Sequence, residues 1–113
     1  MPQFVLMLRD SGAFPADISA EEIQAIIGRY TTWLQKVRGL PGQKLRDGEG
    51  RVIVRNGSKL SVTDGPYAES KEVLGGYMLI DAKDYDDAVR LCNDCPHLDF
   101  GSIEIREVDT AAQ

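Results

Sequence analysis

An α+β fold in one domain is predicted for this chain of 113 residues. Two segments repeat apolar residues at helical spacing, and the segments around them alternate or run apolar as β-strands do. A chain of this length buries roughly two-thirds of its unfolded surface, which is enough for one hydrophobic core. We expect the domain to span residues 1–108 and residues 109–113 to be a disordered tail.

The first two elements are a buried strand and a long amphipathic helix. Residues 3–8 are a continuous apolar run followed by charged residues, which is typical of a buried strand. Ser19 and Glu22 have the spacing of a capping box, so the helix is expected to begin there. We expect Gly39 to be the C′ residue that ends it. One stripe along this helix is apolar: Ile23, Ile26, Ile27, Tyr30, Trp33, Leu34 and Val37.

A hairpin over residues 51–63 and a strand over residues 77–82 come next. Apolar residues alternate through the hairpin, and the Asn56–Gly57 pair is expected to supply the two positive-φ positions of a type I′ turn. Residues 77–82 are apolar on both alternations, so both faces of this strand are expected to be covered. The Gly75–Gly76 pair before it is expected to permit a bulge or a close backbone approach.

A second helix and a last strand complete the pattern. Asp84 is the expected N-cap of the helix, and Pro96 is expected to end it. Its predicted buried stripe consists of Tyr85, Ala88, Val89 and Cys92. Residues 102–107 alternate as a strand, with Ile103 and Ile105 on one face and Ser102, Glu104 and Arg106 on the other.

This order of elements predicts a ferredoxin-like β-α-β-β-α-β fold with the hairpin as an insertion. In that fold both helices cover one face of an antiparallel sheet. Because residues 3–8 and 77–82 are apolar on both alternations, the other face would expose a large apolar surface, which soluble monomers rarely do. We therefore predict a homodimer whose sheets pack face to face, with Glu104 and Arg106 lining a cavity or an interface rim.

The charge balance argues against nucleic acid as a partner. The net charge is −5, and the basic residues are scattered, whereas binding to phosphates needs clustered Lys and Arg. No apolar run approaches the roughly 20 residues of a membrane span. The N-terminus lacks a basic leader and a small-residue cleavage site, so we expect a cytoplasmic protein.

The stretch VTDGPYAESKEVLGGYMLI at residues 62–80, with GSIEIREV at residues 101–108, resembles the YCII-related family. It is most similar to the branch with an Asp-Gly-Pro-Phe motif, with Tyr67 in place of Phe. The resemblance implies a dimeric α/β barrel. It also implies two functional settings, since the wider group has a proposed His/Asp pair in a cleft, and related domains lie beside or are fused to extracytoplasmic-function sigma factors.

Asp64 and His97 are the predicted acid–base residues. Gly65 and Pro66 stiffen the turn after Asp64, and a carboxylate held in this way can act as a general acid or base. The alternative for Asp64 is a structural turn in which the carboxylate accepts backbone amides. His97 is the single histidine and is flanked by acidic residues that would orient it. The alternative for His97 is a place in a surface loop.

Four further residues are predicted to contact a substrate. Arg9 and Arg106 would hold a carboxylate through bidentate contacts, and the alternative for both is a surface charge. Tyr67 belongs to the motif, and Glu69 would point into the cleft. The alternative for Glu69 is a solvated ion pair with Lys71.

The two cysteines are predicted to be structural thiols. Cys92 and Cys95 lie at the end of a helix, where the dipole disfavours a thiolate, and adding the nearby histidine falls short of a structural zinc set. We expect no metal and no cofactor.

Three functions remain open at this point. The first is an enzyme or binding protein whose dimer cleft near Asp64 holds a small organic acid or an aromatic compound. The second is a regulatory domain without catalytic activity that binds a partner protein such as a sigma factor. The third is a purely structural dimer. A deep pocket with Asp64 beside a second titratable group would favour the first function, and a solvated Asp64 would favour the other two.

Overall fold

A four-stranded antiparallel sheet with helices on one face forms the body of the protein. The computed structural model describes residues 1–11, 15, 17–65 and 72–112. The elements are β1 (Gln3–Asp10), α1 (Ala20–Lys36), β2 (Leu40–Lys44), β3 (Arg51–Asn56), β4 (Lys59–Asp64), β5 (Val73–Asp81), α2 (Tyr85–Cys92) and β6 (Gly101–Glu107). Two 3₁₀ helices cover Pro96–Asp99 and Thr110–Ala112.

The sheet has the strand order β2-β5-β1-β6, and β3 and β4 form a separate hairpin. All three neighbouring pairs in the sheet are antiparallel. This confirms the predicted ferredoxin-like α+β fold with an inserted hairpin. Within the described ranges, no helix is both long and apolar enough to cross a membrane.

The core lies between the sheet and the two helices. Alternate residues of β1 and β5 point into it, and Phe4, Leu6 and Ile80 are at most 1% exposed. Trp33 of α1 and Ala88 of α2 close the core from the helix side. The rest of the buried cluster is Met78, Ala82, Cys92 and Cys95.

The ends of α1 follow from local hydrogen bonds. Ser19 is the N-cap, and its Oγ accepts from the amide of Glu22 at 3.0 Å, as predicted. The prediction that Gly39 is the C′ residue is wrong by one position. Arg38 has the positive φ of 56°, and the Gly39 amide donates to the Leu34 carbonyl in a Schellman arrangement. A Cβ on Gly39 would come within 2.9 Å of the Leu79 carbonyl, so this glycine allows a close approach to β5.

The edge strand β2 was not predicted from the sequence. Its residues include Pro41 and Gly42, which usually interrupt strands. The pairing slips between Leu40 and Gln43, so β2 carries an extra residue relative to β5. Gly42 has a φ of 54°, and a Cβ there would lie 2.1 Å from the Tyr77 carbonyl. An edge position and a bulge together accommodate both residues.

The second helix is capped as predicted, but its buried stripe is narrower. Asp84 is the N-cap, and its carboxylate accepts from the Asp87 amide at 2.8 Å. Tyr85 and Val89 are 47% and 59% exposed, so their predicted burial is wrong. The Tyr85 ring packs edge-on against Phe4 with the centroids 5.0 Å apart. This short helix therefore contacts the sheet through the Tyr85 ring and buries only its small residues Ala88 and Cys92.

A β-bulge at Gly75 confirms the prediction for the Gly75–Gly76 pair. Leu8 pairs with Gly76 and Arg9 pairs with Leu74, so β5 carries one extra residue here. The bulge changes the alternation of β5 and places Leu74 opposite Arg9. A Cβ on Gly75 would lie 2.7 Å from an Asp10 carboxylate oxygen, so a glycine fits this site best.

The hairpin turn differs from the prediction. Asn56 pairs with Lys59, so the two loop residues are Gly57 and Ser58. Gly57 has a φ of 63°. Ser58 has a negative φ, because Arg38 is the one non-glycine with positive φ in the described part of the chain. A positive φ at the first loop position alone is the pattern of a type II′ turn and not of the predicted type I′ turn.

Candidate functional site

The sheet face opposite the helices has an apolar centre and a charged edge. Directly paired residues share a face, so the register places Val5, Met7, Tyr77 and Leu79 together on this open face. All four are partly exposed, and Leu40 of β2 extends the set at 53% exposure. We call these five residues the apolar seam. In the described residues, the buried cluster and both helices lie on the other face.

Arg9 and Arg106 meet at Glu104 on the β6 side of the open face. Arg9 donates from Nη2 to Glu104 Oε1 at 3.1 Å and from Nε at 3.4 Å. Arg106 Nη1 lies 3.6 Å from Glu104 Oε2, an ion-pair contact that is too long for a hydrogen bond. The side chains of Arg9, Glu104 and Arg106 are 35%, 41% and 66% exposed. We call these three residues the charged cluster.

A second carboxylate lies at the margin of this cluster. Ser102 pairs with Arg9 across the β1–β6 ladder and donates to Glu72 Oε2 at 2.9 Å. The open face therefore carries cations and carboxylates side by side along β6. Such a surface provides both donors and acceptors for a polar ligand.

His97 is buried, so the surface-loop alternative is wrong. It lies in the 3₁₀ helix after α2 and is 4% exposed. Its Nδ1 is 2.9 Å from the Tyr30 hydroxyl, and its Nε2 is 2.9 Å from the Arg9 carbonyl. The acidic neighbours expected to orient it have other partners, since Asp94 pairs with Lys36 and Asp99 with Arg29.

The two contacts of His97 determine its tautomer. A carbonyl oxygen only accepts, so Nε2 carries the proton that is donated to Arg9. In the neutral ring Nδ1 then accepts from the Tyr30 hydroxyl. Burial raises the pKa of Tyr30 to about 12, with a smaller contribution from the nearby Cys95, so the phenol keeps the proton that it donates. His97 thus connects α1 to the backbone of β1.

The Arg9 carbonyl is also packed tightly by Gly101. A Cβ on Gly101 would lie 1.9 Å from this oxygen, which leaves no space for a side chain. The backbone of Arg9 is therefore fixed by His97 and Gly101, while its side chain lies on the open face. His97 contributes to the charged cluster by positioning Arg9 and not by direct contact.

Asp64 lies apart from the charged cluster, at the base of the hairpin. It pairs with Arg51 in the β3–β4 ladder, and its Oδ1 is 3.3 Å from Arg51 Nε. Its side chain is 91% exposed. Arg9, Arg106 and Glu104 are thus brought together, whereas Asp64 and His97 have different partners on different elements. The acid–base roles of Asp64 and His97 stay predictions.

Two predicted site residues, Tyr67 and Glu69, lie outside the described residues. The described residues also form open grooves. One, of about 510 Å³, lies along α1 beside Trp33 and Asp94. Another, of about 460 Å³, lies on residues 44–49. Neither groove is lined by a predicted site residue, so neither accounts for the predicted cleft.

Cys92 and Cys95 are buried free thiols, which confirms their structural assignment. Burial raises the pKa of both, and that of Cys92 to about 12. A thiol that keeps its proton is a poor nucleophile and a poor metal ligand. The two cysteines therefore act as small core residues.

Glu104 and Tyr30 are the residues that the sequence-based site omitted. Glu104 was expected at a cavity or rim, but nothing in the alternation of residues 102–107 showed that Arg9 would reach it. Tyr30 was assigned to the core stripe of α1. A hydroxyl in that stripe was the available signal, because a buried phenol requires a hydrogen-bond partner.

Comparison with known proteins identifies the family. No curated protein matches the chain. The family model of the YCII-related domain matches residues 20–111, which extend from the start of α1 to beyond the end of β6. Membership of the Asp-Gly-Pro-Phe branch stays a prediction. Because the match covers most of the chain, the protein belongs to the YCII-related domain family.

Proposed function

We propose that the protein is a homodimer whose facing sheets enclose a binding site for a small organic acid. Arg9 and Arg106 bind the carboxylate of this ligand, and the apolar seam contacts its hydrocarbon part. The convergence of both arginines on Glu104 in a sheet face with an apolar centre carries the proposal.

The apolar seam supports the dimer. Val5 and Leu79 are directly paired, as are Met7 and Tyr77, so their side chains form a continuous strip across two central strands. Leu40 extends the strip to the sheet edge. Burial of such side chains contributes about 1.5–3 kcal/mol each. A second copy brings an identical strip, as the two-fold symmetry of most homodimers requires.

The charged cluster supports an anionic ligand. Arg9 directs two donors at one oxygen of Glu104 and is held in place by it. The longer contact of Arg106 with Glu104 leaves its planar guanidinium available for a bidentate carboxylate contact. Because buried ion pairs are costly unless all their groups are paired, enclosure of this cluster between two sheets favours a ligand that completes it.

The positions of Asp64 and His97 argue against acid–base catalysis by these two residues. Asp64 is almost fully solvated, which is the arrangement expected of a protein without an acid–base site at this turn. Both ring nitrogens of His97 already have protein partners. Acid–base chemistry and association with a sigma factor stay predictions.

Nuclear magnetic resonance titration with benzoate and benzamide tests the proposed site. We expect benzoate to shift the resonances of Val5, Met7 and Tyr77, and the neutral benzamide to leave them unchanged. Arg106→Gln should weaken benzoate binding about tenfold or more, because it removes charge-assisted hydrogen bonds.

Arg29→Gln is the matched control. Arg29 is also paired with a carboxylate, Asp99, at 2.6 Å, but it lies on the helix side. Benzoate affinity should be unchanged in this variant. Benzoate shifts confined to the groove along α1, or equal losses in the two variants, would contradict the proposed site.

A further inference from the structure

The hairpin presents a second apolar surface, away from the sheet. Ile53 is paired with Val62, and Leu60 lies on the same face two pairs further along. Their exposures are 65%, 57% and 59%. We call residues 51–64 the arm and these three residues the arm face.

The arm has little support from its own body. Among the described elements, β3 and β4 pack chiefly against each other. A two-stranded hairpin alone is marginally stable in water, so an ordered arm requires another surface. The radius of gyration of 16.2 Å exceeds the roughly 13 Å expected for a compact domain of this length. The arm therefore projects from the body.

The charges of the arm and the body are opposite. The arm contains three of the 13 basic residues and one of the 18 acidic residues, so its net charge is +2 and that of the remaining chain is −7. Arg51 and Arg55 lie on the same face of β3 as Ile53, because side chains two positions apart in a strand share a face. This charge difference favours an acidic, apolar partner surface.

The β2 end of the open sheet face has these properties. Leu40 of β2 is paired with Leu79 of β5. This pair lies at the β2 edge of the sheet, and the charged cluster lies toward the opposite edge, on β1 and β6. Asp81 follows two residues after Leu79, so it lies on the same face, and it is exposed. Leucines beside a carboxylate match an arm face that carries leucine, isoleucine and valine beside arginines.

We infer that the arm docks on a second copy of this chain. The arm face covers the Leu40–Leu79 end of the apolar seam of that copy, with Arg51 and Arg55 on the side of its Asp81. The docking is reciprocal, so each sheet face is completed by the arm of the other copy. This inference rests on the proposed homodimer and extends it, because the contact between the sheets alone does not involve the arm.

Hydrogen exchange above and below the dimer dissociation constant tests the docking directly. We expect the amides of residues 51–64 to exchange at least about tenfold more slowly in the concentrated sample, because docking suppresses local opening. The amides of Val5 and Met7, which lie on β1 away from the Leu40–Leu79 end, report separately on contact between the sheets.

Two single substitutions test which face of the arm docks. Ile53→Asp should raise the dimer dissociation constant about tenfold or more, as expected for the loss of one buried aliphatic side chain per arm. Val54→Asp is the matched control, because Val54 is also exposed but lies on the opposite face of the same strand. It should change the dissociation constant less than about threefold.

The outcomes separate this inference from the proposed function. A dimer in which the amides of Val5 and Met7 are protected but the arm exchanges freely overturns the docking and leaves the homodimer intact. A protein that is monomeric at every concentration overturns both. Slow exchange of the arm amides in the dilute monomer would show that the arm packs on its own body, which overturns the inference. Equal effects of Ile53→Asp and Val54→Asp on the dissociation constant would show that the arm face is not the docking surface, which also overturns it.

Discussion

At the scale of single residues, His97 connects the helix layer to the charged cluster. Its ring has one donor and one acceptor when neutral, and the Arg9 carbonyl and the Tyr30 hydroxyl satisfy both. The residue is therefore a structural link between α1 and β1. Its effect on Arg9 is exerted through the backbone, so the charged cluster depends on a histidine on the other side of the sheet.

Tyr30→Phe should destabilise the protein. The substitution leaves the buried Nδ1 of His97 without a donor, which costs about 1–3 kcal/mol in the free energy of unfolding measured with urea. Tyr85→Phe is the control, because the Tyr85 hydroxyl accepts from the Glu107 amide at an exposed position where water can replace it. Equal losses in both variants would count against the buried contact.

The stability should also decrease at alkaline pH in a way that depends on Tyr30. Burial raises its pKa from 10.0 to about 12 in the folded chain, so the unfolded chain ionises first. The contribution of the neutral Tyr30 side chain to the free energy of unfolding is complete below pH 10 and is lost as the pH rises toward 12. The free energies of unfolding of the wild type and of Tyr30→Phe, measured with urea, should therefore become more similar as the pH rises from 9 to about 11.5. A constant difference across this range would refute the assignment.

At the scale of elements, the pairing of β1 with β6 requires a glycine at position 101. Gly101→Ala should lower the free energy of unfolding by about 1–3 kcal/mol, because the new Cβ overlaps the Arg9 carbonyl. Gly28→Ala is the control in α1, where an added Cβ meets nothing within 4 Å. It should stabilise the chain by about 0.5–1 kcal/mol, as expected for alanine in a helix. Thermal unfolding checks that Gly101→Ala lowers the melting temperature and that Gly28→Ala raises it.

The elements with strong local signals were predictable from the sequence. The Ser19 cap of α1, the Asp84 cap of α2 and the alternation in β6 each depend on residues within a few positions of one another. The edge strand β2 was missed because Pro41 and Gly42 oppose strand structure locally. Its pairing with β5 is a tertiary contact that overrides that preference.

The candidate site was predictable only in part. Arg9 and Arg106 were chosen for their chemistry, and the register of β1 with β6 brings both to Glu104. That register depends on pairing residues almost a hundred positions apart, which no local pattern reveals. The burial of His97 has the same origin, because its partners lie on α1 and β1.

At the scale of the whole molecule, the uncovered sheet face determines the assembly that we propose. Leu79→Asp should leave the chain folded, because this side chain points away from the helices, but should convert the dimer to monomers in sedimentation velocity. Val89→Asp is the control, since Val89 is 59% exposed on α2 and should leave the dimer intact. Dimers of unchanged stability in Leu79→Asp would show that the open face is not the interface.

The position of the hairpin in the chain has an evolutionary consequence. It is inserted between β2 and β5, which are neighbours in the sheet, and its base is closed by the Gly65 amide bonded to the Gly50 carbonyl at 2.9 Å. The inserted segment begins and ends at adjacent strands, so its length and sequence can diverge without disturbing the sheet. If the arm docks on a second copy as we infer, duplicated genes that differ only in this insertion would yield proteins that no longer mix as subunits, although their sheets stay the same.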